Sequence, residues 1–506
     1  MSEEGPPQSA ADAFVSKLCI RFFLQLWRIA VAVSVLEIIM DRIPPLNTDE
    51  SVGVPAEVAN GIGWTNRWLR ASVAALPALS RLMSVGYSLA DQGFAVGATF
   101  LANVMLARTQ TKEEYGVFAL SYSVFTFFTA LHNSAILEPF TVYGSGRYRN
   151  RFSEYLRLMV KVNGLVGLAL SVLVLLTCLV LYFAAPHLLS RTLLGLGLTT
   201  GILLSSIFLR RVFYVQRKPG FAAEASLICF ITAACALWLL TKAHLLNGFS
   251  VFLILALAWI VAGLGVGRKL ALGHPMQSFL DSEPGYWREH WKYSKWVFST
   301  AFVFQLTSQG YYWIVAGLVS VKDVAGLRVM QMLVAPMDQV LAALSFLVIP
   351  ALAARYASNQ MRSFQSFTMR YGLAIVTLNA LFALFVRFAG KPAMHWLYAG
   401  KFDELVPTLY ILAFLPLLVG FGNVLGCALN AAEKPMFVFY AYVCSGAATL
   451  FGGIPLVNHF GLRGAVYGLL LSAAAHDAAL VFGFMINSRR QPSLVRDQTE
   501  SLYNVE

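Results

Sequence analysis

Three ionisable groups stand inside long apolar runs of this sequence, and each raises a chemical question. Asp338 lies two residues after Pro336 in the apolar stretch 325–353, while His476 and Asp477 are neighbours within 462–487. A carboxylate in such surroundings is costly unless it is paired or functional. Asp338 is therefore expected to carry a proton, to pair with Arg328, or to take part in sodium coupling. Arg328 is ten residues away, about 15 Å along a straight helix, which argues against direct pairing. His476 and Asp477 form a second candidate for ion coupling. Adjacent helical residues point about 100° apart, so one of the two is expected to face an interior cavity.

Polar groups of a second kind recur at helical spacing. Gln92, Thr99 and Asn103 share one face of the run 85–107, and Gln305, Gln309 and Tyr312 share one face of the run 293–319. Such faces either line a cavity or tie helices together by hydrogen bonds. Cations stand near span ends at Lys161, Arg210 and Arg211. The patterns GxSxG, HExxH and GxxxxGK[ST] do not occur, and the six cysteines form no CxxC pair. Hydrolase, zincin and ATPase readings thus lose their usual support, and no catalytic residue, cofactor or metal centre is expected.

Composition defines the elements that must position these groups. The 506 residues are 58% hydrophobic and 13% charged, with mean hydropathy +0.65, which excludes the soluble classes. Apolar windows fall near 85–107, 115–137, 154–183, 188–216, 221–241, 245–267, 293–319, 325–353, 369–390, 404–430, 436–457 and 462–487. They predict an all-α polytopic membrane protein of about twelve transmembrane helices. The net charge of +12 is carried by cations between spans, so the expected partner is an anionic lipid surface rather than nucleic acid. Twenty lysines and arginines lie in the even-numbered connections and the C-terminal tail, against ten in the odd-numbered ones. This bias predicts cytoplasmic termini.

Residues 1–84 read as a basic extension. Within 14–40, Lys17, Arg21, Gln25 and Arg28 follow at steps of four, four and three, the pattern of an amphipathic helix lying on the membrane. A second basic segment carries Trp64, Arg67, Trp68, Arg70 and Arg81. The start of the chain lacks the basic region and cleavage site of a secretory signal. The longest internal connection, 268–292, divides the spans into two six-helix bundles, 85–267 and 293–487, followed by a tail at 488–506. Its final run, Tyr286 to Tyr293, interleaves aromatic and cationic residues as headgroup anchors do.

Internal similarity supports that division. Glu113-Glu114-Tyr115-Gly116 lies over Asp323-Val324-Ala325-Gly326 at an offset of 210, and Gln216-Arg217-Lys218-Pro219 over Ala432-Glu433-Lys434-Pro435 at an offset of 216. A duplicated six-span unit gives two pseudo-symmetric bundles of like orientation around a central cavity.

Several segments carry a family resemblance: GFAVGATFLANVMLARTQTKEEYG at 93–116, LRRVFYVQRKP at 209–219, WKYSKWVF at 291–298, VIPALAARY at 348–356, NAAEKP at 430–435 and FGLRGAVYG at 460–468. Across about 85–487 the chain resembles bacterial Wzx-type polysaccharide flippases of the multidrug/oligosaccharidyl-lipid/polysaccharide exporter superfamily. The resemblance implies alternating access in the cell inner membrane. The cargo would be an undecaprenyl-diphosphate-linked oligosaccharide repeat unit, moved from the cytoplasmic to the periplasmic leaflet for exopolysaccharide, capsule or O-antigen synthesis. Polysaccharide polymerase and copolymerase proteins would be partners. The basic N-terminal extension departs from the usual short start.

For such a cargo the cavity should be cationic and rich in amides. Lys161, Arg210 and Arg211 would receive the diphosphate, arginine being suited to bidentate contact, or else snorkel to the inner interface. Asn103, Gln305 and Gln309 would line the substrate path, and Asp338, His476 and Asp477 would couple it to an ion. A multidrug exporter of the same superfamily would instead favour an acidic and aromatic cavity. A polysaccharide polymerase or ligase would carry a large outward loop, whereas the longest outward connection here is about 387–404.

Overall fold

A computed structural model describes residues 65–184, 187–270, 285–358 and 360–503. The amphipathic helix expected at 14–40 lies outside the described residues, as do Trp64 and the side chains of Arg67, Trp68, Arg70 and Arg81. Among the described residues the regular structure is helical, with no strand.

The helices are α1 (Thr65–Thr109), α2 (Lys112–His132, carried by a π turn at Asn133–Leu137 into Glu138–Ser145), α3 (Phe152–Ala184) and α4 (His187–Val215). Next come α5 (Pro219–Lys242), α6 (Gly248–Val266), α7 (Tyr286–Leu318), α8 (Val321–Ala357) and α9 (Met361–Tyr398). The last three are α10 (Val406–Leu412 and Leu415–Ala431), α11 (Pro435–Ala448 with a π turn at Thr449–Gly453), and α12, the part of Ile454–Tyr503 beyond Gly461.

Among the described residues, ten stretches are long and apolar enough to cross a membrane. One of them, Pro435–Ile486, breaks at Gly461, whose φ of 57° combined with a ψ of −133° is a conformation that favours glycine. The more polar α7, 33 residues long, supplies one more crossing, which brings the path to the twelve expected. The 45 residues of α1 extend about 68 Å, against about 30 Å of hydrocarbon. The boundary expected at 84/85 therefore falls within a continuous helix.

Local sequence fixes where these helices begin, and does so twice. Thr111 Oγ1 accepts the Glu114 N–H at 3.2 Å, and Ser320 Oγ accepts the Asp323 N–H at 3.1 Å, capping α2 and α8. Arg217 and Glu433 both turn left-handed, at φ 57° and 58°, one residue before a lysine. Pro219 and Pro435 then open α5 and α11, where a missing N–H costs nothing. The repeat legible in the sequence is thus a repeat of turn geometry.

In the N-terminal bundle α1 packs on α5, α3 on α4, and both α4 and α5 on α6; in the C-terminal bundle α10 and α11 pack on α12. The outward faces of α3 (Leu165, Leu168, Val180) and α9 (Met369, Leu373, Phe388) are widely exposed. Apolar faces of this extent belong in hydrocarbon.

The bundles meet along two unlike seams. On one, α2 and α7 stay together for most of their length: Trp313 Nε1 donates to Ser123 Oγ at 2.9 Å, and Phe127 meets the rings of Trp313 and Phe302. Near the end bearing the even-numbered connections, Ser294 Oγ donates to the carbonyl of Ala135 at 3.2 Å. Pro139 lacks the N–H that would meet this carbonyl in an α-helix. Tyr143 Oη donates to the Glu289 carbonyl at 3.3 Å, Arg147 pairs with Glu289, and the Tyr155 hydroxyl meets His290 Nε2 at 2.9 Å. Burial pushes His290 down to about 4, so its ring is neutral in that bond.

On the other seam α1 and α8 meet through Asn103 and Arg328, while toward the even-numbered end both helices turn exposed: Tyr87, Gln92 and Val96 on α1, Asp338, Gln339 and Ala342 on α8.

The run 286–293 therefore divides its residues. Trp287 and Trp291 are exposed as anchors would be, but Tyr286 and His290 are buried against the N-terminal bundle. Residues 286–292, expected as linker, form the first turns of α7.

At the odd-numbered end the bundles touch closely. A Cβ on Gly116 would lie 2.0 Å from the carbonyl oxygen of Val321. Gly116→Ala is expected to force α2 from α8 and to cost about 1–3 kcal/mol. Thermal unfolding of the purified variant checks this, and an unchanged midpoint would show that the seam yields freely.

Candidate functional site

Arg328 on α8 sits where the two bundles meet, among neutral groups. Its Nε donates to Asn103 Oδ1 at 3.1 Å, and its guanidinium lies 4.6 Å from the ring centre of Tyr122. Asn103 is fully buried on α1. Its Oδ1 also accepts the Tyr115 hydroxyl at 3.2 Å, while its Nδ2 donates to the Thr99 carbonyl at 2.8 Å. Tyr312 and Tyr398 complete the surroundings, with the Tyr312 hydroxyl donating to Gln331 Oε1 and the Tyr398 hydroxyl buried without a partner among the described residues. Among the described residues Arg328 has no carboxylate partner. A buried cation ordinarily costs several kcal/mol unless paired, and a cation–π contact returns about 2 kcal/mol or somewhat more when desolvated.

Ionic contacts between bundles surround this centre on its odd-numbered side. Lys112 pairs with Glu404 at 2.5 Å and Lys322 with Glu113 at 2.7 Å. The Lys322 ammonium holds the Glu113 carboxyl below its ordinary range. Lys401 Nζ donates to the Gln110 carbonyl at 2.9 Å, and Arg108 reaches the Trp396 carbonyl at 3.5 Å. These pairs are solvated and each is worth little alone; together they close one end between the bundles.

The residues singled out from the sequence fall in four places. Asn103 joins the Arg328 centre. Gln305 and Gln309 lie on α7, Gln305 nearly buried and 3.4 Å from Ser308, Gln309 with its carbonyl oxygen buried and unpartnered. Arg210, expected to be available to substrate, is held by Asp91: Nε to Oδ1 at 2.8 Å and Nη2 to Oδ2 at 2.7 Å. Asp91 is fully buried and also accepts the hydroxyls of Tyr214 (2.7 Å) and Ser226 (2.5 Å). Arg211 donates to Asn133 Oδ1 at 3.0 Å, and Asn133 to Glu138 at 3.0 Å. Lys161 is exposed on α3 in line with Leu165 and Leu168, on the apolar outward face, where a lysine stem can snorkel.

Asp338 and Gln339 are exposed in the middle of α8 with protein around them, the signature of a group on the wall of an internal cleft. Asp338 has no hydrogen-bond or ion-pair partner among the described residues. His476 and Asp477 turn instead into the C-terminal bundle: Nδ1 lies 3.3 Å from Oδ1, and the Tyr442 ring is 4.6 Å from the imidazole. The remaining His476 Nε2 and Asp477 Oδ2 are buried and unpartnered, and Gly422 leaves the room, since its Cβ would stand 2.2 Å from Asp477 Oδ1. Among the described residues no three histidine, cysteine or acidic side chains gather as metal ligands.

Sequence reasoning missed Asp91 and the Arg328 centre. Asp91 did carry a signal, an isolated acid inside the first apolar window. Arg328 entered only as a cation of an outer connection and as a distant candidate partner for Asp338, because its actual partners lie on four other helices.

No protein-family profile matches the sequence, and no curated protein does. Solved structures do match. One is an inward-facing multidrug resistance MATE family transporter of the MOP superfamily, 12% identical over 80% of this chain and 96% of that one, with TM-score 0.65. Another is the lipid II flippase MurJ in an inward closed conformation, 14% identical over 80% and 89%, with TM-score 0.62. A third is a MOP superfamily transporter from Pyrococcus furiosus, 11% identical over 81% and 97%, with TM-score 0.57. At these identities the likeness establishes the fold.

Arg210→Ala would strand the Asp91 carboxylate in the interior and is expected to destabilise the protein by about 3–5 kcal/mol. Adding Asp91→Asn should recover much of the loss. Thermal unfolding of the single and double variants measures the coupling, and simple additivity would mean that the pair does not hold α1 to α4.

Proposed function

We propose that this chain, which has the fold of MOP-superfamily transporters, is a flippase for a polyprenyl-diphosphate-linked oligosaccharide. The observation that carries the reading is Arg328, a part-buried cation between the bundles whose partners are an amide and tyrosines. Neutral partners satisfy hydrogen bonds without cancelling charge, so a diphosphate reaching the cleft competes for this guanidinium on favourable terms. Parting the bundles removes Asn103, Tyr115 and Tyr122 from Arg328, and the anion takes their place.

The unlike seams support the same reading. A lipid-linked cargo needs its head group inside and its tail in hydrocarbon. The exposed stretches of α1 and α8 offer a lateral opening, while α2 and α7 keep the opposite seam shut. With the termini cytoplasmic, as the charge bias expects, the opening faces the leaflet where the repeat unit is made, in the inner membrane. Polymerase and copolymerase proteins would receive the product on the other side. Asp338, open to the cleft, is the coupling group in this scheme.

A second reading rests on that same residue. An unpartnered carboxylate on a cleft wall also suits an organic cation, so a proton- or sodium-coupled multidrug exporter is the alternative.

Liposomes containing a short-chain polyprenyl-diphosphate oligosaccharide test the two. The wild-type protein is expected to expose the lipid on the far leaflet. Arg328→Gln should lower the rate about tenfold or more, with Arg328→Lys intermediate because it keeps charge but not the planar fork. Cationic dye efflux that depends on Asp338, without lipid movement, would replace the flippase by the exporter.

A further inference from the structure

We propose that the first three turns of α7 bind an anionic phospholipid by its headgroup. Along Tyr286–Lys295 this helix has two unlike faces. At 100° per residue, Trp287, Trp291, Lys295, Arg288 and Lys292 fall within an arc of about 140°. All five are exposed, the two tryptophans to 56% and 54%. The opposite arc, Tyr286, His290 and Ser294, is buried on the N-terminal bundle. The local carboxylate, Glu289, is turned away and paired with Arg147. Arg288 and Lys292 therefore have no carboxylate partner among the described residues.

Deeper along the same arc the exposed residues change character, to Phe302 and Leu306. Cations and tryptophans interleaved over three turns, and then apolar side chains along the same helix face, match the headgroup and ester region of a lipid leaflet followed by its chains. The guanidinium of Arg288 and the ammonium of Lys292 suit a phosphodiester, with indole N–H groups as further donors. A choline headgroup brings its own cation and gains little here, whereas a headgroup of net negative charge gains from both residues. A soluble acidic protein would meet the two cations but not the apolar continuation at Phe302 and Leu306.

The site bears on the helix that joins the bundles. The start of α7 is bonded to α2 and α3, while further along Tyr311 bonds Ser472 of α12. A lipid seated at Arg288 and Lys292 braces the segment that belongs to both bodies, so leaflet charge should set the transport rate whatever the cargo.

Native mass spectrometry of the full chain released from nanodiscs of equal phosphatidylglycerol and phosphatidylcholine tests binding without any transport substrate. Its outcome is therefore independent of the function proposed above. The wild-type protein is expected to retain phosphatidylglycerol preferentially. Each cation near an anionic surface contributes about fivefold, so Arg288→Ala with Lys292→Ala should weaken retention about 25-fold. The exchange Arg288→Lys with Lys292→Arg should preserve it, as should Arg362→Ala, an exposed cation elsewhere. Equal retention of the two lipids by the wild type, or unchanged retention in the double alanine variant, overturns the proposal. So does a double variant that loses activity in cells but keeps its lipid, which would transfer the patch to an acidic protein.

Discussion

A guanidinium held between two bundles, without a counter-ion among the described residues, sets the terms for the rest of this structure. Burying a charge in protein inside a membrane is among the most expensive acts available to a fold. Arg328 is kept there by contributions from both bundles: Asn103 and Tyr122 on one side, Tyr312 and Tyr398 on the other. Neither bundle solvates it alone. The closed arrangement is therefore stabilised by a group that separation leaves exposed. The ionic pairs Lys112–Glu404 and Lys322–Glu113 add geometry to this arrangement more than energy.

The second part-buried guanidinium behaves oppositely. Arg210 is matched by a carboxylate within its own bundle, and four hydrogen bonds converge on Asp91. Such a pair fixes the relation of α1 to α4 and α5 and makes the N-terminal bundle a body that moves as one. The two arginines illustrate how charge of one sign serves either rigidity or readiness, according to whether its partner is charged and whether the partner moves with it.

Much of the architecture was legible because it rests on local rules. Apolar run lengths located the crossings, and the recurring Lys-Pro turns at 218–219 and 434–435 exposed the duplication, since each is a short-range device for ending one helix and beginning the next. The span at α7 was legible despite its polarity because aromatic residues and glutamines recur on it at helical spacing. What remained hidden depends on distance along the chain. Arg210 and Asp91 are 119 residues apart and Arg328 and Asn103 are 225 apart, and no periodicity links them. His476 and Asp477 were found as unusual residues, but their direction, into the bundle, was decided by the gap at Gly422 on a different helix. The division at 268–292 likewise gave the bundles their order while missing that α7 starts on its neighbour.

The continuous helix α1 has a mechanical meaning. From Thr65 to Thr109 it runs without interruption, and its deeper half is anchored to α4 and α5 by Asp91. A stiff rod clamped along its deeper half is a lever arm. Any tilt of the N-terminal bundle within the bilayer is carried, enlarged, to the start of that rod. A small rotation of the bundle thereby becomes a large displacement at Thr65, where another molecule can sense it or resist it.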